Sequence, residues 1–220
     1  LMWKDHRGNG HVTGYYAAIY ADYFNDDNYL GAAVTGGFDY ISATRNINFA
    51  KVHAQTSFRS LDIMARLTAA HFFGSSLLAL YPYVNLDLFY LKKDSFKEHN
   101  ASAFDLAVRG NISSTLRTEL GITIQTQDRN NNSTICFSPL ISGAWVVEYP
   151  LQRQVYTANL KDQPFSFQLH GWEQTWQIFL MRFGADITYK CFSLSGTYNV
   201  EMSGGNFLGQ KGNARMEWTF

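Results

Sequence analysis

Apolar and polar side chains alternate at every second position along most of this chain, which marks strands with one greasy and one polar face. At the end of the sequence Ala214, Met216, Trp218 and Phe220 share one parity, and Asn213, Arg215, Glu217 and Thr219 share the other. Before them Phe192, Leu194, Gly196, Tyr198, Val200 and Met202 oppose Ser193, Ser195, Thr197, Asn199 and Glu201. The stretch Ser203-Gly204-Gly205-Asn206 favours a reversal between the two. Phe179, Met181, Phe183, Ala185, Ile187 and Tyr189 oppose Leu180, Arg182, Gly184, Asp186 and Thr188, so the charges again share a face. Pro139, Ile141, Gly143, Trp145, Val147 and Tyr149 oppose a set ending at Glu148, and the run 78–90 opposes Tyr83, Asn85 and Asp87. Leu61, Ile63, Ala65, Leu67 and Ala69 oppose Asp62, Met64, Arg66 and Thr68, while 12–24 and 30–40 are noisier and rich in Gly, Ala and Tyr.

This patterning predicts nine strands, near 12–24, 29–43, 56–71, 76–91, 103–125, 137–150, 165–189, 191–202 and 208–220. The run 104–124 keeps one parity for about 21 residues, more than twice the ~9–11 that cross hydrocarbon. Soluble sandwiches use strands of about 5–6 residues, so the expected fold is all-β: an antiparallel, up-and-down transmembrane barrel of outer-membrane type. The connections at 25–28, 73–76 and 190 are short, and those at 46–55, 92–100 and 150–164 are longer and polar. That asymmetry puts the short turns and Phe220 on the periplasmic side, although 127–134 is longer than the rule prefers. An odd strand count does not close a bacterial barrel, so further strands are expected before Leu1. Tyr149, Tyr189 and Trp218 fall at strand ends, where aromatic rings form interfacial girdles.

Composition sharpens this picture. Charged residues are 16% of the 220, below the roughly 25% of soluble domains, and aromatics also reach 16%. Lys plus Arg equals Asp plus Glu, at 18 each, which leaves no electrostatic footprint for nucleic acid. No run reaches the ~18 apolar residues of a spanning helix. The start at Leu1 without a signal-peptide pattern suggests that an export signal lies upstream.

The charges of the polar face are the candidate functional residues: Asp62, Arg66, Asp87, Arg109, Arg117, Glu119, Glu148, Arg182, Asp186, Arg215 and Glu217. Facing a narrow lumen, they must pair or stay wet, because unpaired buried charge costs several kcal/mol. One reading is a structural ladder of ion pairs and water; the other is that Arg117, Glu119, Glu148, Arg182 and Arg215 line a path and hold a helix or polypeptide there. No GxSxG or HExxH motif occurs, and His6, His11, His53, His71, His99 and His170 are scattered, so no catalytic residue is assigned. His99 or His170 in an external loop would serve an outer-membrane hydrolase. The two cysteines, Cys136 and Cys191, lack metal-ligand spacing. They begin strands two apart, roughly 10 Å at ~4.8 Å per strand, so free thiols are expected. No metal or cofactor is implied. The sequon matches at Asn100, Asn111 and Asn132 are read as chance in a polar sequence.

Several segments resemble the autotransporter β-domain family, most of all the barrel end of chlamydial polymorphic outer-membrane proteins. They are 80–84 leading through 86–90 to Phe96-Lys97-Glu98, then 114–122, then Ser138-Pro139 entering 145–148, and the closing 215–220. The resemblance covers about 14–220, with degenerate motifs. It implies a barrel of about twelve strands that exports an N-terminal passenger (type V secretion) and is not an enzyme. It also implies that Ala214, Met216, Trp218 and Phe220 form the signal read by the barrel-assembly machinery, and that Glu119 and Glu148 mark where a self-cleaving member keeps acids. The expected partners are outer-membrane lipid, that machinery and the passenger itself. On this reading residues 1–220 are one translocator domain without its first strands and pore-plugging linker helix. A passive porin-like channel and a soluble β-sandwich binding module are the competing readings.

Overall fold

A computed structural model of the protein describes residues 8–74, 78–126, 135–152, 155–161, 163–170, 176–203 and 206–218. The alternation resolves into β1 Gly8–Asn25, β2 Asn28–Ile47, β3 Val52–His71, β4 Phe73–Gly74, β5 Leu78–Lys93, β6 Phe96–Lys97 and β7 Leu106–Val108. These are followed by β8 Asn111–Thr126, β9 Ile135–Gln152, β10 Val155–Leu160, β11 Ser166–His170, β12 Trp176–Tyr189, β13 Phe192–Ser203 and β14 Asn206–Trp218. One antiparallel sheet runs in the order β1-β2-β3-β5-β8-β9-β12-β13-β14, with β4 beside β5. Each neighbour in that order is the next long strand of the chain, so the topology is up-and-down, and the sheet curls into a half-barrel. The nine strands of this path lie where the alternation predicts nine.

The sheet inverts the polarity of a soluble domain. Leu67 is 58% exposed and Phe179 54%, whereas Asp87 on the other face is fully buried. Large apolar side chains at the outer parity have only solvent or lipid to meet, and a curled sheet shelters the polar parity on its inner side. Tight reversals keep the register. Asp26 (φ 46°) closes β1 to β2 and Lys190 (φ 53°) closes β12 to β13, both in left-handed turn conformations.

Four sequence expectations need correction. The single strand at 103–125 is two, β7 and β8, broken at Arg109-Gly110. Ala107 and Val108 pair with Asn159 and Ala158 of β10, and the Arg109 amide donates to the Thr157 carbonyl at 3.0 Å. Arg109 is therefore off the inner face to which parity assigned it. A side chain at Gly110 would put its Cβ 3.0 Å from the Lys93 carbonyl oxygen, so glycine allows the close approach at this break. The expected strand 165–189 likewise divides into β11 and β12. The expected loop 150–164 contains β10, and 46–55 is mostly strand, with β2 and β3 joined by 48–51 and Lys51 at φ 54°. Long strands still carry the argument against a sandwich, through β2 and β3 at 20 residues each rather than through 104–124.

The short strands form a second sheet, β11-β10-β7-β6, built from the connections that leave one end of the main sheet. This lobe is fastened to the β2–β3 hairpin. Ile47, Ala54 and Ala101 make a small buried cluster, and Gln55 bridges His99 backbone to backbone. Arg45 forks onto Glu98 at 2.6 and 3.0 Å and also donates to the Phe104 carbonyl. Phe58 stacks on Phe96 with centroids 4.6 Å apart. Glu98 is buried and accepts from the Leu106 amide as well, so this bidentate pair joins lobe to sheet where charge is sheltered.

Candidate functional site

Strand register decides which charges meet. Arg66 of β3 lies opposite Asp87 of β5, Asp87 opposite Arg117 of β8, and Arg117 opposite Glu148 of β9. Four strands thus present one row of alternating sign on the inner face, the arrangement that cross-strand pairing favours. Arg66 binds Asp87 bidentately at 2.6 and 2.8 Å. Arg117 donates to Glu148 at 3.1 Å and lies 4.0 Å from Glu119, which accepts from the Tyr83 hydroxyl at 2.8 Å. The Nε of Arg117 is buried without a hydrogen-bond partner.

Apart from Arg109, the remaining predicted residues share this face but not this row. Arg182 of β12 donates to Asn199 of β13 at 2.8 Å, and Asp186 accepts from Gln125 across β9 at 3.3 Å. Arg215 and Glu217 pair at 3.1 Å on the exposed edge strand β14. Asp62 stands apart: the Tyr16 hydroxyl donates to Asp39 at 2.8 Å and to Asp62 at 3.2 Å, and Ser60 donates to Asp39 at 3.4 Å. A cleft of about 260 Å³ on the inner face is lined by Arg66, Tyr83, Arg117, Glu119, Arg182 and Lys211, among others.

Tyr16, Asp39 and Lys211 escaped the sequence reading, which puts Tyr83 on the polar face without naming it a candidate. The signal existed, because each has the inner parity once the strands are paired. In β1 and β2, however, small and aromatic residues on both faces blur the alternation.

Of the expected assembly signal, Ala214, Met216 and Trp218 share the outer face of β14, with Met216 and Trp218 exposed and Trp218 edge-on to Phe192. Phe220 lies outside the described residues. Cys136 and Cys191 flank β12 and are free. Among the described residues no group of three His, Cys, Asp or Glu side chains is placed to hold a metal. His99 lies in the lobe bridge and His170 ends β11. Tyr189 and Trp218 mark one end of the sheet, while Tyr149 lies toward the other.

A curled antiparallel wall with an apolar outer face and an ion-paired inner face defines a transmembrane β-barrel protein of outer-membrane type. The family model of the autotransporter β-domain matches residues 2–199, and the chain belongs to that family. It is similar to the transport unit of the autotransporter AIDA-I from Escherichia coli at 9% identity, over 99% of this chain and 86% of that one, with a TM-score of 0.37. Comparison with curated proteins found no match. As an autotransporter β-domain the chain is a translocator barrel of type V secretion, the part that carries an attached passenger outward. The family is not one of enzymes, and its members are outer-membrane barrels.

Proposed function

We propose that residues 1–220 act as one translocator domain in the bacterial outer membrane, with the apolar face against lipid and the passenger segment moving along the inner-face charges. The sorting of charge supports this reading: Arg66, Asp87, Arg117, Glu119, Glu148 and Arg182 are gathered on one face and mostly paired. A wall of fixed, mutually satisfied charges offers a moving polypeptide hydrogen bonds without trapping it, because no single strong site dominates. Asp62, Asp186, Arg215 and Glu217 extend the same lining. Arg182 is the residue to test, since it is exposed on the inner face and its loss leaves the central row intact. Arg182→Glu should lower the protease-accessible, surface-displayed passenger severalfold while the heat-modifiable barrel band keeps its intensity. Unchanged display would refute the lining role.

The lobe end faces outward on this reading, and the turn at Lys190 faces the periplasm, following the rule of short periplasmic turns. Ala214, Met216, Trp218 and Phe220 form the signal by which the barrel-assembly machinery takes up the chain. Deleting Phe220 should leave most of the protein unassembled, read as loss of the heat-modifiable band from membrane fractions. Full assembly without it would remove the terminal residue from the signal. Within the family, the segments 80–90, 114–122 and 215–220 support a chlamydial polymorphic outer-membrane protein as the parent type.

A further inference from the structure

Extending the strand parities through the pairing register places every charged side chain of the nine main-sheet strands, among the described residues, on the inner face, with two exceptions. They are Arg59 of β3 and Lys92 of β5, both cationic, both exposed, and both at the lobe end of adjacent strands. Lys92 stands opposite Leu61 on one side and Ile112 on the other, and Arg59 is two residues beyond Leu61 on the same face. Diagonal neighbours of this kind are about 7–8 Å apart, within reach of one bridging anion for two long side chains. The Arg59 guanidinium rests over the outward-facing Tyr40 ring, 5.1 Å from its centroid, which holds the cation at the surface of the sheet. Neither residue has an ion-pair partner among the described residues.

Their height on the wall identifies the occupant. On the side away from the lobe, the outer face is apolar: Phe38, Ile63, Leu67, Leu86 and Leu88 are all exposed. Toward the lobe the outer positions become Ser42, Thr44, Gln55 and Ser57. Arg59 and Lys92 therefore sit on the line where hydrocarbon gives way to water, and long cationic side chains there extend toward headgroups. We infer that Arg59 and Lys92 form a two-cation clamp on the phosphate of an anionic lipid headgroup in the leaflet nearest the lobe. Arg supplies planar donors to phosphate oxygens and Lys a mobile point charge. The inference rests on the membrane reading above and adds to it a lipid class and a place.

The test compares the intact protein with Arg59→Gln, Lys92→Gln and the double variant, together with Lys97→Gln in the lobe as a control. Each is reconstituted in phosphatidylcholine bilayers with or without phosphatidylglycerol, and retained phosphatidylglycerol is measured by native mass spectrometry at low salt. Retention should weaken about fivefold for each single variant and about thirtyfold for the pair, with Lys97→Gln unchanged. Heat-modifiability is followed in parallel. A wild-type protein that fails to form a heat-modifiable, bilayer-inserted species defeats the membrane reading itself. A properly inserted double variant that retains phosphatidylglycerol like wild type overturns the clamp alone. Competition of retained lipid by millimolar inorganic phosphate as effectively as by added phosphatidylglycerol would also overturn it, because the site would then read phosphate rather than a lipid.

Discussion

Asp87→Ala should destabilise the folded domain by about 2–3 kcal/mol, measured by urea unfolding in detergent. Asp87 is completely buried and takes both donors of the Arg66 fork, so alanine strips two charge-assisted bonds at once. It also leaves two arginines on the strands either side of β5 with no anion between them, since Arg117 lies opposite Asp87 on the other side. The expected cost falls short of the ~3–5 kcal/mol seen when a fully buried pair is broken, because Arg66 is 42% exposed and recovers water. Arg66→Met in the same background should return part of the loss, since it removes the cation left stranded. If Asp87→Ala unfolds at the wild-type urea concentration, the row contributes nothing to stability.

Gly37→Ala should cost about 1–3 kcal/mol and slow assembly, whereas Gly143→Ala should be near neutral. Gly37 sits directly opposite Tyr16, whose ring covers it, and an added Cβ would meet the ring at 2.3 Å and the Tyr15 carbonyl oxygen at 2.5 Å. The ring can swing, but the carbonyl belongs to the β1 backbone and can yield only by shifting the strand. Displacing Tyr16 would also break its hydrogen bonds to Asp39 and Asp62 and leave those carboxylates facing each other. An added Cβ at Gly143 meets nothing within 4 Å, so the pair of variants separates crowding from the general effect of losing a glycine. Equal unfolding midpoints for the two would show that the Tyr16 ring does not depend on the empty place at position 37.

The sequence disclosed the faces of the strands because period-two sorting is local: Met181, Arg182 and Phe183 reveal their sides without knowledge of any neighbour. It did not disclose the row Arg66, Asp87, Arg117, Glu148, because that row exists only through the registers of three separate hairpins. Those registers depend on connections such as 94–110, whose lengths say little about pairing. The break at Gly110 was hidden for a related reason. β7 and β8 keep the same parity across it, so the alternation runs on while the backbone changes sheets. The lobe was missed because its strands are short and partner segments far away in sequence, as Ala107 does with Asn159.

The β2–β3 hairpin has a mechanical consequence. At about 3.3 Å per residue, strands of 20 residues measure roughly 65 Å, and a tilt near 45° turns that into about 45 Å of height. The apolar belt of such a wall takes about 25 Å, which leaves a stalk of roughly 20 Å beyond it. With Arg45 bolted to Glu98 and the lobe seated on its tip, the hairpin behaves as a stiff mast. With the lobe end outward, as proposed above, whatever emerges from the pore would meet a rigid platform held well clear of the bilayer surface, and the lobe would be the first part of this domain that a large molecule approaching the cell touches.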